Sequence, residues 1–443
     1  MDVIQRLERV PVGKFHYKLL LVMGLGWLFD AMDTGIIAFV LPSLAQEWGL
    51  SSTQMGMIGS IGLLGMAVGA VWAGKLADRF GRKQIFAATM LLYSVATGLC
   101  GVAWDYYSLM FFRFLVGLGL GGELPVAITM MSEFAPPATR GRFIVLLESF
   151  WGLGWLAAAV ISYLFIPHFG WQMAFFIGAL PALYVLYIRR AMPESVRYLT
   201  DAGKLEEAHA IVSHLEQAAG IAPAAKAIAP PLPVKHRIHI SELWSPGFAR
   251  RTIVLWMLWF GIVYSYYGIF TWLPSLMVRQ GYPMLQTFEY VLVMTLAQLP
   301  GYYTAALLVD VIGRKATLGI FLSLSALCAY FFGQGGEPLV VLAWGSMMSF
   351  FNLGAWGVVY TYTPELYPTR IRAYGSGWAA AVGRTGGIAA PTVVGYMLAA
   401  DSGVTGVFVM FTSVMLAIGI IVAVFGEETK GKSLDEISLR HAK

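Results

Sequence analysis

Charge is what this chain has least of. Only 12% of its 443 residues are Asp, Glu, Lys or Arg, about half the ~25% of a soluble domain. So little charge cannot cover the water-facing surface of a chain this long, and a soluble globular fold is excluded. Cysteine is nearly missing too. Cys100 and Cys328 both lie in apolar sequence, which leaves no disulfide framework and no metal-ligand spacing. No nucleophile, metal or phosphate motif is visible, so neither an enzyme nor a cofactor is expected. What the chain has in abundance is apolar sequence, 58% of its residues. Twelve stretches reach the length of about 20 residues that crosses a bilayer. They are 19–41, 54–74, 84–103, 107–131, 143–166, 171–188, 252–275, 288–309, 316–333, 338–362, 373–399 and 404–425. The expected fold class is an all-α membrane protein with twelve transmembrane helices in two six-helix halves.

The formal net charge of +5 does not point to nucleic acid, because the basic residues collect in alternate short loops. One set is Lys75, Arg79, Arg82 and Lys83. Others are Arg140 and Arg142, Arg189 and Arg190, Arg314 and Lys315, and Arg370 and Arg372. Basic loops stay on the cytoplasmic side, which predicts cytoplasmic termini and a multi-pass protein of a bacterial inner membrane. The first apolar stretch holds Asp30 and Asp33 and lacks a small-residue cleavage site, so it reads as a retained span rather than a removed signal.

The charges also repeat. Asp78, Gly81, Arg82, Glu133 and Arg140 are matched by Asp310, Gly313, Arg314, Glu365 and Arg372, with equal spacings throughout. A repeat of this length within apolar sequence indicates two similar halves, an architecture typical of a transporter. The expected division is 1–190 and 250–443, joined by a cytoplasmic segment 191–249 with a short helix near 201–217 and an Ala/Pro-rich linker over 221–234. Gly117, Gly119 and Gly122 match G-x-G-x-x-G, but inside a continuous apolar span they cannot open a nucleotide-binding turn. Gly117 and Gly121 read instead as a face for close helix packing.

These residues resemble the major facilitator superfamily. Gly74-Lys75-Leu76-Ala77-Asp78-Arg79-Phe80-Gly81-Arg82-Lys83 is similar to its signature loop between the second and third spans. Arg113 through Gly119, Asp33-Thr34-Gly35, Pro193-Glu194-Ser195, Pro364-Glu365-Leu366-Tyr367-Pro368 and Glu428-Thr429-Lys430-Gly431 resemble motifs of the sugar porters and their relatives. A narrower likeness, to bacterial niacin permeases of the NiaP type, rests on Gly26 through Asp33, Leu146 through Trp151 and Phe350 through Gly357. It implies uptake of nicotinate, a small aromatic carboxylate, bound at mid-membrane by a monomer moving between two states. The paired glutamines of the sugar porters' seventh span are absent, and Trp259 through Tyr267 offer an aromatic lining that suits a flat ring.

Ionisable groups inside spans cost roughly 2.5–3.5 kcal/mol at a helix centre on insertion scales, and are usually functional or paired. Arg384 is the leading candidate for the substrate carboxylate, because guanidinium stays charged and makes two parallel hydrogen bonds to such a group; a structural ion pair is the alternative. Tyr360, Trp356 and Asn352 follow at i, i+4 and i+8 spacing on the tenth span. Glu148, Tyr267, Gln298 and Trp151 complete the substrate candidates. Asp33 and Arg113 stand where proton-coupled sugar porters carry a protonation switch, so the resemblance implies proton symport, with a fixed structural pair in a uniporter as the alternative; Asp30 is a further candidate, as is Glu123, for which a helix–helix hydrogen bond is the favoured role. Asp78, Arg82, Glu133 and Arg140, with Asp310, Arg314, Glu365 and Arg372, would form inner-gate networks. A sugar or organic-cation permease, or a transporter-derived sensor, remains the alternative.

Overall fold

The computed structural model describes residues 3–136, 139–221 and 239–430; residues 222–234 of the expected linker and the last thirteen residues lie outside that range. Lipid offers a backbone no hydrogen-bond partner, so spanning segments satisfy their own N–H and C=O groups as helices. Twelve such segments are present among the described residues, and the fold is the expected one. The first six are α1 (Lys14–Trp48), α2 (Ser52–Phe80), α3 (Arg82–Cys100), α4 (Tyr106–Phe134), α5 (Arg140–Phe169) and α6, which is Trp171–Gly178 continued by Pro181–Ala191. The other six are α7 (Ala249–Arg279), α8 (Met284–Leu296 continued by Gln298–Ile312), α9 (Arg314–Gly333), α10 (Pro338–Glu365), α11 (Thr369–Ala399) and α12 (Gly403–Phe425). Ten of them are long and apolar enough to cross a membrane by length and composition alone; α3 and α11 fall short of that test. Short helices Val3–Glu8, Val196–Asp201 and Leu205–Ala218 lie outside the spans; the last occupies the polar helical stretch expected near 201–217.

The chain gathers into two compact units. One contains the chain up to Thr34, Leu64–Trp155 and the segment that starts at Gln172. The other contains Gly35–Leu63, Leu156–Trp171 and the helices of the second half.

Glycine sets the packing within each unit. In the first, a Cβ on Gly65 or Gly69 would run into the carbonyl oxygens of Phe114 or Leu118, and one on Gly121 into that of Met66. α2 and α4 therefore touch backbone to backbone, as small residues in membrane helices permit, and α4 runs unbroken through the glycines that mimic a nucleotide motif. In the second unit, a Cβ on Gly56 would lie 2.5 Å from the Pro391 carbonyl oxygen, and Gly395 packs on Ser52 in the same way. Ser60 and Thr392 share a hydroxyl hydrogen bond of 2.7 Å beside this contact. The N-terminal part of α2 is thus held tightly against α11.

Candidate functional site

Arg384 sits on α11, whose approach to α7 depends on the glycines around it. A Cβ on Gly383 would meet Val263 at 3.0 Å and Trp259 at 3.1 Å, and one on Gly387 would meet Val263 at 3.0 Å and Tyr267 at 3.2 Å. This close approach puts the partly buried guanidinium in electrostatic reach of the Tyr267 and Tyr360 hydroxyls. Trp356 closes the group, with ring centroids 5.1 Å from Tyr266, 6.5 Å from Tyr267, 6.4 Å from Trp259 and 6.3 Å from Tyr360. Trp259 stands edge-on to Tyr360 at 5.4 Å, its indole N–H donating to Thr363 Oγ1 at 2.9 Å. A cation at the wall of an aromatic cluster can take a flat anion by gripping the charge and stacking or edging on the ring.

Of the sequence candidates, Arg384, Tyr360, Trp356 and Tyr267 thus come together. Asn352 turns elsewhere: it is buried, and its amide meets Met415 Sδ of α12 at 3.6 Å. Gln298 is fully buried at the break in α8, with neither amide atom hydrogen-bonded among the described residues. Trp259 and Tyr266 were not singled out from the sequence. Their only signal was the aromatic density of the seventh span.

The acids of the first unit form a second cluster. Asp33 on α1 accepts from Arg113 Nη1 of α4 at 3.1 Å and from Thr97 Oγ1 of α3 at 2.6 Å, all three buried. Asp30, one turn earlier on α1, faces Glu123 of α4, with the Tyr93 hydroxyl of α3 alongside. Glu148 on α5 is buried against the indole of Trp27, which packs on Trp151 with centroids 4.7 Å apart. Among the described residues no group of three or more His, Cys, Asp or Glu could hold a metal ion.

The repeated motif builds two matching networks. In the first half, Arg82 Nη1 reaches Glu133 Oε1 at 3.2 Å and Ser195 Oγ at 2.7 Å, while Ser195 donates to Glu133 Oε2. Glu194 Oε1 accepts the backbone N–H groups of Arg82 and Lys83 at 2.9 and 3.1 Å. In the second half, Arg314 holds Glu365 with two nitrogens, each at 2.9 Å, and Thr429 donates to Glu365 Oε2. Glu428 caps Arg314 and Lys315 at 3.0 and 3.1 Å. Both caps need the preceding glycine: Gly81 has φ 101° and Gly313 φ 95°, and a Cβ on either would strike the capping carboxylate. Asp78 and Asp310 stand at the exposed rim, each 3.7 Å from its arginine. Arg140 instead approaches Glu8 at 3.8 Å, and Arg372 donates to the Tyr367 carbonyl at 3.3 Å. The capping acids and their hydroxyl neighbours were visible only as parts of family motifs, because their partners lie 62 to 114 residues away in the chain.

The profile of the Sugar (and other) transporter family matches residues 23–440. The chain is 57% identical over 439 residues to the niacin transporter NiaP of Acinetobacter baylyi, covering 99% of this chain and 100% of that one. It is 46% identical over 418 residues to the putative niacin/nicotinamide transporter NiaP of Bacillus subtilis, covering 94% and 98%. In fold it is similar to the inward-open xylose transporter XylE from E. coli, with a TM-score of 0.74 and 18% identity over 96% of this chain and 99% of that one.

Proposed function

The chain belongs to the sugar (and other) transporter family, a family of membrane carriers rather than enzymes, and on that premise we propose that it imports nicotinate or a similar small aromatic carboxylate. Import runs by alternating access across a bacterial inner membrane, in a monomer with both termini in the cytoplasm, and protons drive it. The observation that carries the substrate class is Arg384 set among Tyr267, Tyr360, Trp356 and Trp259. A hexose needs many hydroxyl partners; this cluster offers one cation and several ring faces, which matches a carboxylate on a flat ring. The printed names of the Acinetobacter and Bacillus relatives support the same substrate. The basic loops support the orientation, and the buried acids of α1 and α4 support coupling to protons.

Competition binding to the purified protein tests the substrate class. Nicotinate and benzoate are expected to displace labelled nicotinate, and a sugar is not. Displacement by xylose but not by benzoate would overturn the reading. One observation favours a second reading, an organic cation: Glu148 is buried beside Trp27, whose ring packs on Trp151, with its Oε1 lacking a hydrogen bond among the described residues. A carboxylate framed by aromatic rings attracts cations, and displacement by a quaternary ammonium compound would favour that substrate.

A further inference from the structure

Two buried carboxyls in the first unit lack what every buried charge needs. Asp30 and Glu123 are each 0% exposed, and none of their four carboxyl oxygens makes a well-aligned hydrogen bond among the described residues, although the Tyr93 hydroxyl lies alongside Asp30. They face each other within hydrogen-bond reach across the α1–α4 contact. Gly26 brings them close, since a Cβ there would lie 3.3 Å from Glu123 Oε2 and collide with Phe86. Two carboxylates cannot both stay ionised side by side in an apolar interior. One shared proton removes the repulsion and supplies the missing donor.

Asp33, one turn away, is in the opposite condition. Arg113 and Thr97 donate to its two oxygens, so its carboxylate is satisfied as an anion, and protonating it would leave the buried Arg113 charge uncompensated. The groups that face the pair are Tyr93 from α3, whose buried hydroxyl lies alongside Asp30, and Asp33 from α1, itself held by Arg113 of α4. Asp33 and Arg113 cancel each other, so the charge of the whole cluster is the charge of the pair.

We propose that Asp30 and Glu123 form a carboxyl–carboxylate pair that shares one proton, and that this pair, not Asp33, takes up and releases the coupled proton. Uptake of a second proton makes one O–H bond and turns the pair from a single negative charge to neutral. Release breaks that bond and restores the shared-proton state. The two groups titrate as a unit, so the coupled step belongs to the pair and not to either residue.

The coupling half of this inference rests on the proposed proton symport; the shared proton does not, and two measurements separate them. The first is infrared difference spectroscopy of the purified protein. A protonated-carboxyl band is expected at neutral pH, with a component that is retained in Asp33→Asn and in Glu148→Gln, the other buried carboxyl of this unit, and lost in Asp30→Asn and in Glu123→Gln. The amides match the acids in size and donate the hydrogen bond that the shared proton otherwise supplies, so the fold has no reason to fail. Absence of the band from the unmodified protein, a measurement that depends on no variant, would overturn the pair, as would survival of that component in both amide variants. The second is the ratio of nicotinate uptake with an inward proton gradient to uptake without one. The ratio is expected to exceed one in the unmodified protein and to fall to one in Glu123→Gln. A ratio of one in the unmodified protein defeats proton symport itself. An unchanged ratio in Glu123→Gln defeats only the pair, and a ratio set by sodium rather than pH shows a cation site in its place.

Discussion

At the scale of single residues, Arg384 was legible because a guanidinium in an apolar run has few reasons to be there. Its aromatic company was only partly legible. Tyr360, Trp356 and Asn352 sit at i, i+4 and i+8, but 3.6 residues per turn carries the first and last of these roughly 80° apart around the helix. That rotation is why Trp356 and Tyr360 meet α7 while Asn352 faces Met415. Arg384→Ala should weaken nicotinate binding by roughly 10- to 150-fold, the loss of a charge-assisted hydrogen bond worth about 1.5–3 kcal/mol. Arg384→Lys should recover only part of it, because a point charge lacks the planar fork. Trp356→Ala should cost about 0.5–1.5 kcal/mol, the worth of an aromatic contact. Calorimetric titration of the purified variants reads all three; unchanged affinity in Arg384→Ala would move the carboxylate partner elsewhere.

At the scale of helices, the glycines announced close packing but not what they pack on. Gly121 meets the Met66 carbonyl and Gly69 that of Leu118, backbone atoms that cannot swing away. Gly121→Leu should therefore lower stability by more than the about 1–3 kcal/mol of an ordinary overpacked core site, seen as a fall in thermal unfolding midpoint in detergent. The caps of α3 and α9 were harder to read, because a capping glutamate looks like any other loop acid. Burial pushes the Glu428 carboxyl up, but the backbone N–H groups of Lys430, Arg314, Lys315 and Thr429 outweigh it and hold the group below its ordinary 4.5. A carboxyl lowered on folding adds stability that is complete above its ordinary value and is lost as pH falls through the lowered one. The difference in unfolding midpoint between the unmodified protein and Glu428→Gln should be constant above pH 4.5 and shrink below it.

At the scale of the molecule, the equal spacing of charges along the chain is enough to mark two alike halves, and the two networks match in their arginine–glutamate pair, rim aspartate and capping glutamate. Ion pairs at a water boundary are worth about 0–1 kcal/mol singly, so networks of them can bias a two-state equilibrium without trapping it. Replacing Arg82 and Arg314 together by Gln should lower the rate of uptake more than it lowers nicotinate affinity, measured by parallel transport and binding assays. The recognition residues do not repeat: the positions matching Arg384, Tyr360 and Trp356 in the first half are Gly152, Ile128 and Leu124. Pattern reading found what the halves share. The Asp30–Glu123 pairing and the turn of Asn352 away from Trp356 depend on helix rotation and on contacts distant in the chain, which no spacing records.

The central claim is nicotinate import, and the most direct test is uptake of radiolabelled nicotinate into proteoliposomes that hold the purified protein. The account predicts saturable uptake that an inward proton gradient drives above equilibrium, that a protonophore returns to equilibrium, and that in Arg384→Ala needs a higher nicotinate concentration to reach half its maximum. No uptake by vesicles whose protein is folded and inserted would contradict it.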